Sequence, residues 1–379
     1  RCDRCIDDDK LSAMAETVKN RLKEENTSVL QIHELVIATL SSFGFKDVAD
    51  SYAEYRYYKT RYARTFEKLR QDADDVLRLG DRENANFDSS LVSTKGSLIK
   101  GYLTKSLYKQ FYLSRREKEL TERGDIYIHD MRDMILGSYN CMLFDMATLL
   151  KGGFEMSNVK YTEPKTVLSA LQVIGDVTLV ASAQQFGGFT IGEIDKVLLP
   201  YAHKTFKKFH DEMIEEGLSE EAANKYAYKA LKRELEQGFQ SLELKLNTVP
   251  SSRGDFAFTT ITFGQWKIDL PETDKKIMKM IGEAILFTRK NGHGVNHQPV
   301  VFPKLVYLYD QKQVDGDHCS SELFDDAVRC SSLCMYPDYL SLSSAHGTVS
   351  RIFKEQGVVT SPMGCRAYLS PWKNKEGRY

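Results

Sequence analysis

Residues 256–264 read FAFTTITFG, and this stretch decides the fold class. Aromatic and β-branched side chains alternate through it, as a short, largely buried strand demands. Apolar positions three or four apart surround it on both sides. Upstream, residues 194–244 carry a mostly helical pattern interrupted by EEGLSEE (215–221), where Ser219 can cap a new helix and Glu220 and Glu221 suit its first turn. Downstream, a helix is predicted from Asp274 to Arg289, followed by a second strand in VVFPKLVYLYD (300–310). Buried strands alternating with long helices favour an α/β protein over an antiparallel sandwich.

Working outward, residues 164–183 are apolar and rich in small side chains, which suits a buried helix packed closely on a neighbour. GDIYIHD (124–130) is expected to be a short strand ended by His129 and Asp130, and the tip beyond it carries Asn140, Cys141 and Asp145. ENANFDSSLVSTKGS (83–97) has turn-forming composition and is expected to be a loop, with helix resuming near Leu98 and running toward Leu120. The amino-terminal part is helical throughout: Leu11 to Leu22, then Val29 to Phe43 with Ser28 as cap, a break at Gly44, and a basic amphipathic helix through YRYYKTRYARTFEKLR (55–70). Residues 1–77 therefore form one helical module, and 78–379 the larger α/β domain.

Bulk properties exclude several classes. The chain has 379 residues, 42% hydrophobic and 28% charged, with a formal net charge of -1, which gives no support to a nucleic-acid-coating surface. No apolar run is long enough to span a bilayer and the RCDRCIDDDK start has no signal-peptide core, so a soluble, cytoplasmic protein is expected. Seven cysteines are too few and too unevenly placed for a disulfide scaffold, so at least some are thiols in a reducing compartment.

The residues that could carry chemistry read modestly one by one. Cys2 and Cys5 have half of a zinc-site spacing with no second pair nearby. Cys330 and Cys334, four apart on a helix face, read as small buried hydrophobes. Cys365 follows Gly364 in a turn that can present its sulfur at a loop tip, and Cys141 lies beside Asn140; either is a structural thiol or a nucleophile or redox group. His129 reads as a satisfied core histidine. NGHGVNH (291–297) sets His293 and His297 four apart, but its glycines favour a structural loop over a metal site. Arg253 could meet a phosphate or a surface carboxylate. No metal site and no cofactor-binding residues are assigned.

Together the segments ENANFDSS (83–90), GDIYIHDM (124–131), NCMLFD (140–145), QQFGGF (184–189), LNTVPSSRGDFAF (246–258), CSSLCMYPDYLS (330–341) and SPMGCRAYLSPW (361–372) resemble, in family order, the anaerobic (class III) ribonucleoside-triphosphate reductases, which are glycyl-radical enzymes. HELVIATLSSFGFKDVADSYAEYRYYKTRYAR (33–64) resembles the last helices of that family's ATP-cone. The resemblance implies part of a ten-stranded α/β barrel built from two parallel halves, with a finger loop through its middle, preceded by a partial helical ATP-cone. It implies that Cys365 forms the thiyl radical and that Cys141, on the first barrel strand, faces the substrate ribose. Asn140, His129, Asn247 and Met363 are then expected to line or support the substrate pocket.

The same resemblance implies reduction of ribonucleoside triphosphates to deoxyribonucleoside triphosphates for DNA replication. It further implies a glycyl radical and a structural zinc, both in sequence beyond Tyr379, and formate as reductant. ATP and dNTP effectors, a homodimer, and an activating protein that uses S-adenosylmethionine and an iron–sulfur cluster complete the expected system. The chain is expected to be truncated at both ends and inactive by itself. Two other readings stand beside this one: another glycyl-radical enzyme, which would place its cysteine in a different loop context, and a non-catalytic fragment that binds nucleotide or dimerises.

Overall fold

The computed structural model describes residues 6–22, 27–78, 88, 90–137, 139–156, 158–185, 187–251, 254–364 and 367–368, with backbone alone at 61, 367 and 368. The chain divides after Arg78 into two compact units.

The first unit holds α1 (Asp8–Arg21), α2 (Val29–Ser42) and α3 (Lys46–Arg78). Ser28 caps α2 through a reciprocal bond pair with Gln31, satisfying two otherwise orphaned groups. Gly44 turns the chain at φ +82° before α3 begins. Met14, Leu40 and Ala49 form its small buried centre.

The second unit opens with α4 (Val92–Phe111) and α5 (Arg115–Arg123). Helix thus starts at Val92, within the stretch expected to be loop, and the single helix expected from Leu98 to Leu120 is two. Ser114 breaks it by capping α5, its hydroxyl accepting from Glu117 while Glu117 reaches back to the Ser114 amide. A second expectation fails at GDIYIHD, which is not a strand. Gly124 closes α5 in the left-handed conformation, and the amides of Asp125 and Ile126 both return to Leu120. The segment has no ladder partner among the described residues, and Tyr127 is exposed.

Then come β1 (Met142–Phe144), α6 (Met146–Leu150), the β2 (Phe154–Met156) and β3 (Val159–Tyr161) hairpin, α7 (Val167–Ser182), β4 (Phe189–Ile191), α8 (Ile194–Glu215), α9 (Glu220–Thr248) and β5 (Thr259–Phe263). The chain continues through α10 (Glu272–Asn291), β6 (Lys304–Tyr309), α11 (Gln311–Gly316), α12 (His318–Cys334), β7 (Asp338–Ser341), α13 (Thr348–Gln356) and the short pair β8 (Pro362–Met363) and β9 (Ala367–Tyr368). Five strands form one parallel sheet in the order β1-β4-β5-β6-β7, the helices supplying the crossovers that parallel neighbours require. The expected α/β class is what the structure has.

Period-two geometry gives the sheet two unlike faces. Phe189, Ile191, Ile261, Phe263, Leu305 and Tyr307 pack with Leu171, Ile174, Leu198, Leu235, Ile281 and Leu323 of the helices in the main core. Each such side chain contributes about 1.5–3 kcal/mol by leaving water. Alternate positions on β4 and β5 are threonines: Thr190, Thr260 and Thr262 are buried, on the opposite face. Small residues in the helices do what their composition suggested. A Cβ built on Gly238 of α9 would stand 2.5 Å from Leu171 Cδ1, so α7 and α9 approach closely there.

Candidate active site

Cys141 immediately precedes β1, opposite Gly188, which precedes β4. Its Sγ accepts a hydrogen bond from the Gly188 amide at 3.2 Å and lies 3.5 Å from Asn140 Oδ1. The Met142 amide returns to the Gly188 carbonyl at 2.9 Å, so sulfur and backbone are both tied to the same glycine.

The segment that ends in β8 lies on the threonine face. Ser361 Oγ meets Thr262 Oγ1 of β5 at 3.1 Å, and three residues later the Gly364 amide donates to Thr190 Oγ1 of β4 at 3.1 Å. That path brings Gly364 against Cys141. A Cβ built on Gly364, whose φ is +65°, would stand 2.9 Å from Cys141 Sγ, and one built on Gly188 would stand 2.4 Å from Gly364 Cα. Only residues without side chains admit so close an approach.

Gly188→Ala is accordingly expected to push the Gly364 segment off Cys141. We expect turnover in a complete, activated enzyme to fall about 100-fold, the scale of an ångström-sized misplacement of reacting groups. Stability should fall by about 1–3 kcal/mol, as overpacking costs. Initial-rate kinetics with a parallel urea titration check it.

The expected site residues are distributed unevenly around this centre. Cys365, the chain neighbour of Gly364, lies outside the described residues, as do Arg253, Cys2 and Cys5. Asn140 and Cys141 are adjacent, and Met363 is half-buried one residue before the Gly364 contact. His129 is not a core residue. Its side chain is exposed, paired with Asp130 and edge-on to Tyr127. The strand that would have carried it inward does not form.

Asn247 is spent on backbone. Its Nδ2 donates to the carbonyls of Glu243 and Phe302, and its Oδ1 accepts from the amides of Val301 and Phe302, fixing the approach to β6. Beside it, buried Glu243 accepts from Arg289 Nε at 3.0 Å and meets His293 Nε2 at 3.1 Å, while the buried Arg289 also donates to the Pro303 carbonyl. His297 instead meets the Asn291 carbonyl, so the NGHGVNH histidines diverge. Among the described residues no three His, Cys, Asp or Glu side chains converge as a metal site.

Sequence reasoning missed Thr190, Thr262, Ser361 and Gly188. The signal was present in TTITF, whose alternating threonines mark a polar sheet face that must itself be covered.

Beyond the strand ends, Asp195 in the first turn of α8 is fully buried. One carboxylate oxygen accepts from the Gly264 amide at 2.8 Å and the other from the Lys196 amide at 3.0 Å. Burial outweighs these bonds and pushes the Asp195 carboxyl up to about 6. In the unfolded chain the value is about 3.9. The folded state therefore holds the proton more tightly, and the stability this confers is complete below about pH 4 and lost as pH rises through about 6, by roughly 3 kcal/mol. Urea titrations from pH 4 to 7 should show that decline, and Asp195→Asn should flatten it.

No described helix is long and apolar enough to cross a membrane. Fold and centre define a parallel α/β protein in which two cysteine-bearing segments are brought together by glycines on a threonine-lined sheet face. The chain belongs to the anaerobic ribonucleoside-triphosphate reductase family, whose family model matches residues 83–379. It is 31% identical over 386 aligned positions to the protein of that name from Escherichia coli K12, covering 98% of this chain and 51% of the relative. The enzyme of phage T4 is 34% identical over 297 positions, 78% of this chain and 47% of that one. The chain thus spans about half the length of the curated relatives it matches. Among solved structures, the anaerobic ribonucleotide reductase of Thermotoga maritima in complex with dATP and CTP matches with a TM-score of 0.46 and 18% identity, over 75% of this chain and 50% of that one.

Proposed function

We propose that this chain is part of an enzyme that reduces ribonucleoside triphosphates to deoxyribonucleoside triphosphates by thiyl-radical chemistry. The observation that carries the reading is the contact of Gly364, next to Cys365, with the Cys141 sulfur. The reaction must remove a hydrogen atom from an unactivated ribose C3′. A sulfur radical does so only when held against the sugar and shielded from side reactions.

In this reading Cys365 removes the 3′ hydrogen, and Cys141 gives its thiol hydrogen as the 2′ hydroxyl leaves as water. Hydrogen then returns to C3′, regenerating the Cys365 radical. A glycine-borne radical supplies the initial oxidation of Cys365. Formate supplies the two reducing equivalents and leaves as carbon dioxide. Asn140 orients Cys141 and Met363 supports the Cys365 turn, while Asn247 braces the approach to β6.

Helices α1–α3 are proposed as part of an ATP-cone. A homodimer, a structural zinc and a radical-generating activase that uses S-adenosylmethionine and an iron–sulfur cluster complete the proposed system. The expected experiment is turnover of 3′-deuterated nucleotide by a complete, activated enzyme containing this chain. Slower turnover, with deuterium retained at C3′ of the product, supports the reading, and deuterium-independent rates with no retention overturn it.

A further inference from the structure

The last turn of α12 places Cys330 and Cys334 with their sulfurs 3.5 Å apart. Cys330 is buried and Cys334 half-buried, on one helix face. Each sulfur is oriented by a backbone carbonyl: Cys330 Sγ by Leu286 at 3.6 Å, and Cys334 Sγ by Cys330 at 3.2 Å. The helix closes just beyond, with Met335 in the left-handed conformation and its amide bonded to Ser331. Arg289 stacks over the Tyr336 ring at 5.0 Å, so the pair rests beside the Glu243–Arg289–His293 network. Neither thiol belongs to the proposed reaction.

The separation discriminates between thiol chemistries. A disulfide needs about 2.05 Å between sulfurs and about 3.5–4.5 Å between Cβ atoms. Helical i,i+4 Cβ atoms stand about 5–6 Å apart, so oxidation would have to unwind the last turn. A single centre bonding both sulfurs at about 2.3 Å and an angle of about 100° sets them about 3.5 Å apart, leaving the helix as it is. A two-coordinate soft cation with a near-linear geometry would need about 4.6 Å at that bond length. Zinc would need further protein ligands, and among the described residues no third His, Cys, Asp or Glu joins the pair.

The geometry points to Cys330 and Cys334 as a chelating dithiol for one trivalent, thiophilic centre that brings its own third substituent, the class of trivalent organoarsenicals. Cys334, the more accessible of the two, bonds first. Burial pushes the Cys330 thiol up to about 12, so it enters the reaction protonated. The step balances without an oxidant: an arsenoxide R–As=O and two S–H groups give two As–S bonds, and the oxygen leaves with both protons as water.

The test is titration of the chain with phenylarsine oxide under reducing, anaerobic conditions, in a Cys2→Ser/Cys5→Ser background that removes the other closely spaced pair. Peptide mass mapping is expected to find one arsenical bridging the peptide of residues 330–334, released by a competing dithiol and retained against a monothiol. Cys330→Ser and Cys334→Ser are each expected to weaken binding at that peptide about 100-fold, the scale of a lost chelate. Cys141→Ser is expected to leave the bridged peptide unchanged. Circular dichroism is expected to show helix content preserved on binding. Monothiol-like affinity at these cysteines, or loss of helix on binding, overturns the proposal. No readout depends on nucleotide turnover, so its failure is distinct from failure of the proposed reductase activity.

Discussion

Cys141→Ala, in a complete and activated enzyme, is expected to lower kcat by about 10⁴-fold, a loss of about 5.5 kcal/mol of transition-state stabilisation. Nucleotide affinity should stay within about threefold, because the change removes one sulfur from a position fixed by backbone. The Gly188 amide points at that sulfur from 3.2 Å, and the Met142–Gly188 backbone bond remains without it. Cys141→Ser is the sharper form of the experiment. Its hydroxyl can accept the same amide, yet an O–H bond is too strong to yield its hydrogen atom, so serine should restore structure and not turnover. Cys365→Ala should match Cys141→Ala in turnover. Single-turnover product analysis with equilibrium nucleotide binding checks all three, and deoxynucleotide formation by Cys141→Ser at more than about a tenth of the parent rate would remove Cys141 from the chemistry.

Glu243→Ala is expected to have the largest effect on stability, about 3–5 kcal/mol, because it strands a cation in the core. Arg289 is 2% exposed and Glu243 3%, and their ion pair closes at 2.9 Å. Arg289 Nη1 already has no hydrogen-bond partner, so the site has nothing in reserve. Removing the carboxylate also frees His293 and so loosens the loop that leads toward β6. A matched apolar pair, Glu243→Leu with Arg289→Met, should recover most of the loss, since two buried charges replaced together leave none unpaired. Urea unfolding of the parent, the single variant and the double variant is the measurement. A single variant within about 1 kcal/mol of the parent would mean that water reaches the network.

What the sequence made legible follows from how local each signal is. FAFTTITFG and VVFPKLVYLYD read as strands because buried strands advertise themselves through composition, and Ser28 and Ser219 read as caps because capping is settled within four residues. GDIYIHD misled for the converse reason: β propensity describes a segment, whereas a strand exists only with a neighbour, and Gly124 and Leu120 direct this one into a turn. At the centre, Cys141 could be singled out, but its partner glycines stand 47 and 223 positions away along the chain. Nothing local in QQFGGF says that Gly188 must lack a side chain to admit Gly364. Asn247 was visible as a polar residue in LNTVPSSRGDFAF, while its four backbone bonds depend on where β6 begins.

The manner in which residues 361–364 cross the threonine face limits how their sequence can vary. This stretch is laddered with β9 and not with the five-stranded sheet, on which it is held at two points, Ser361 on Thr262 and Gly364 on Thr190. Extra residues at the exposed Gly357 turn would be taken up as slack, whereas the Pro362–Met363 spacer acts as a gauge block. One residue more or fewer there would move Gly364 by a full residue's rise, about 3.3 Å, off the Cys141 sulfur that it now meets.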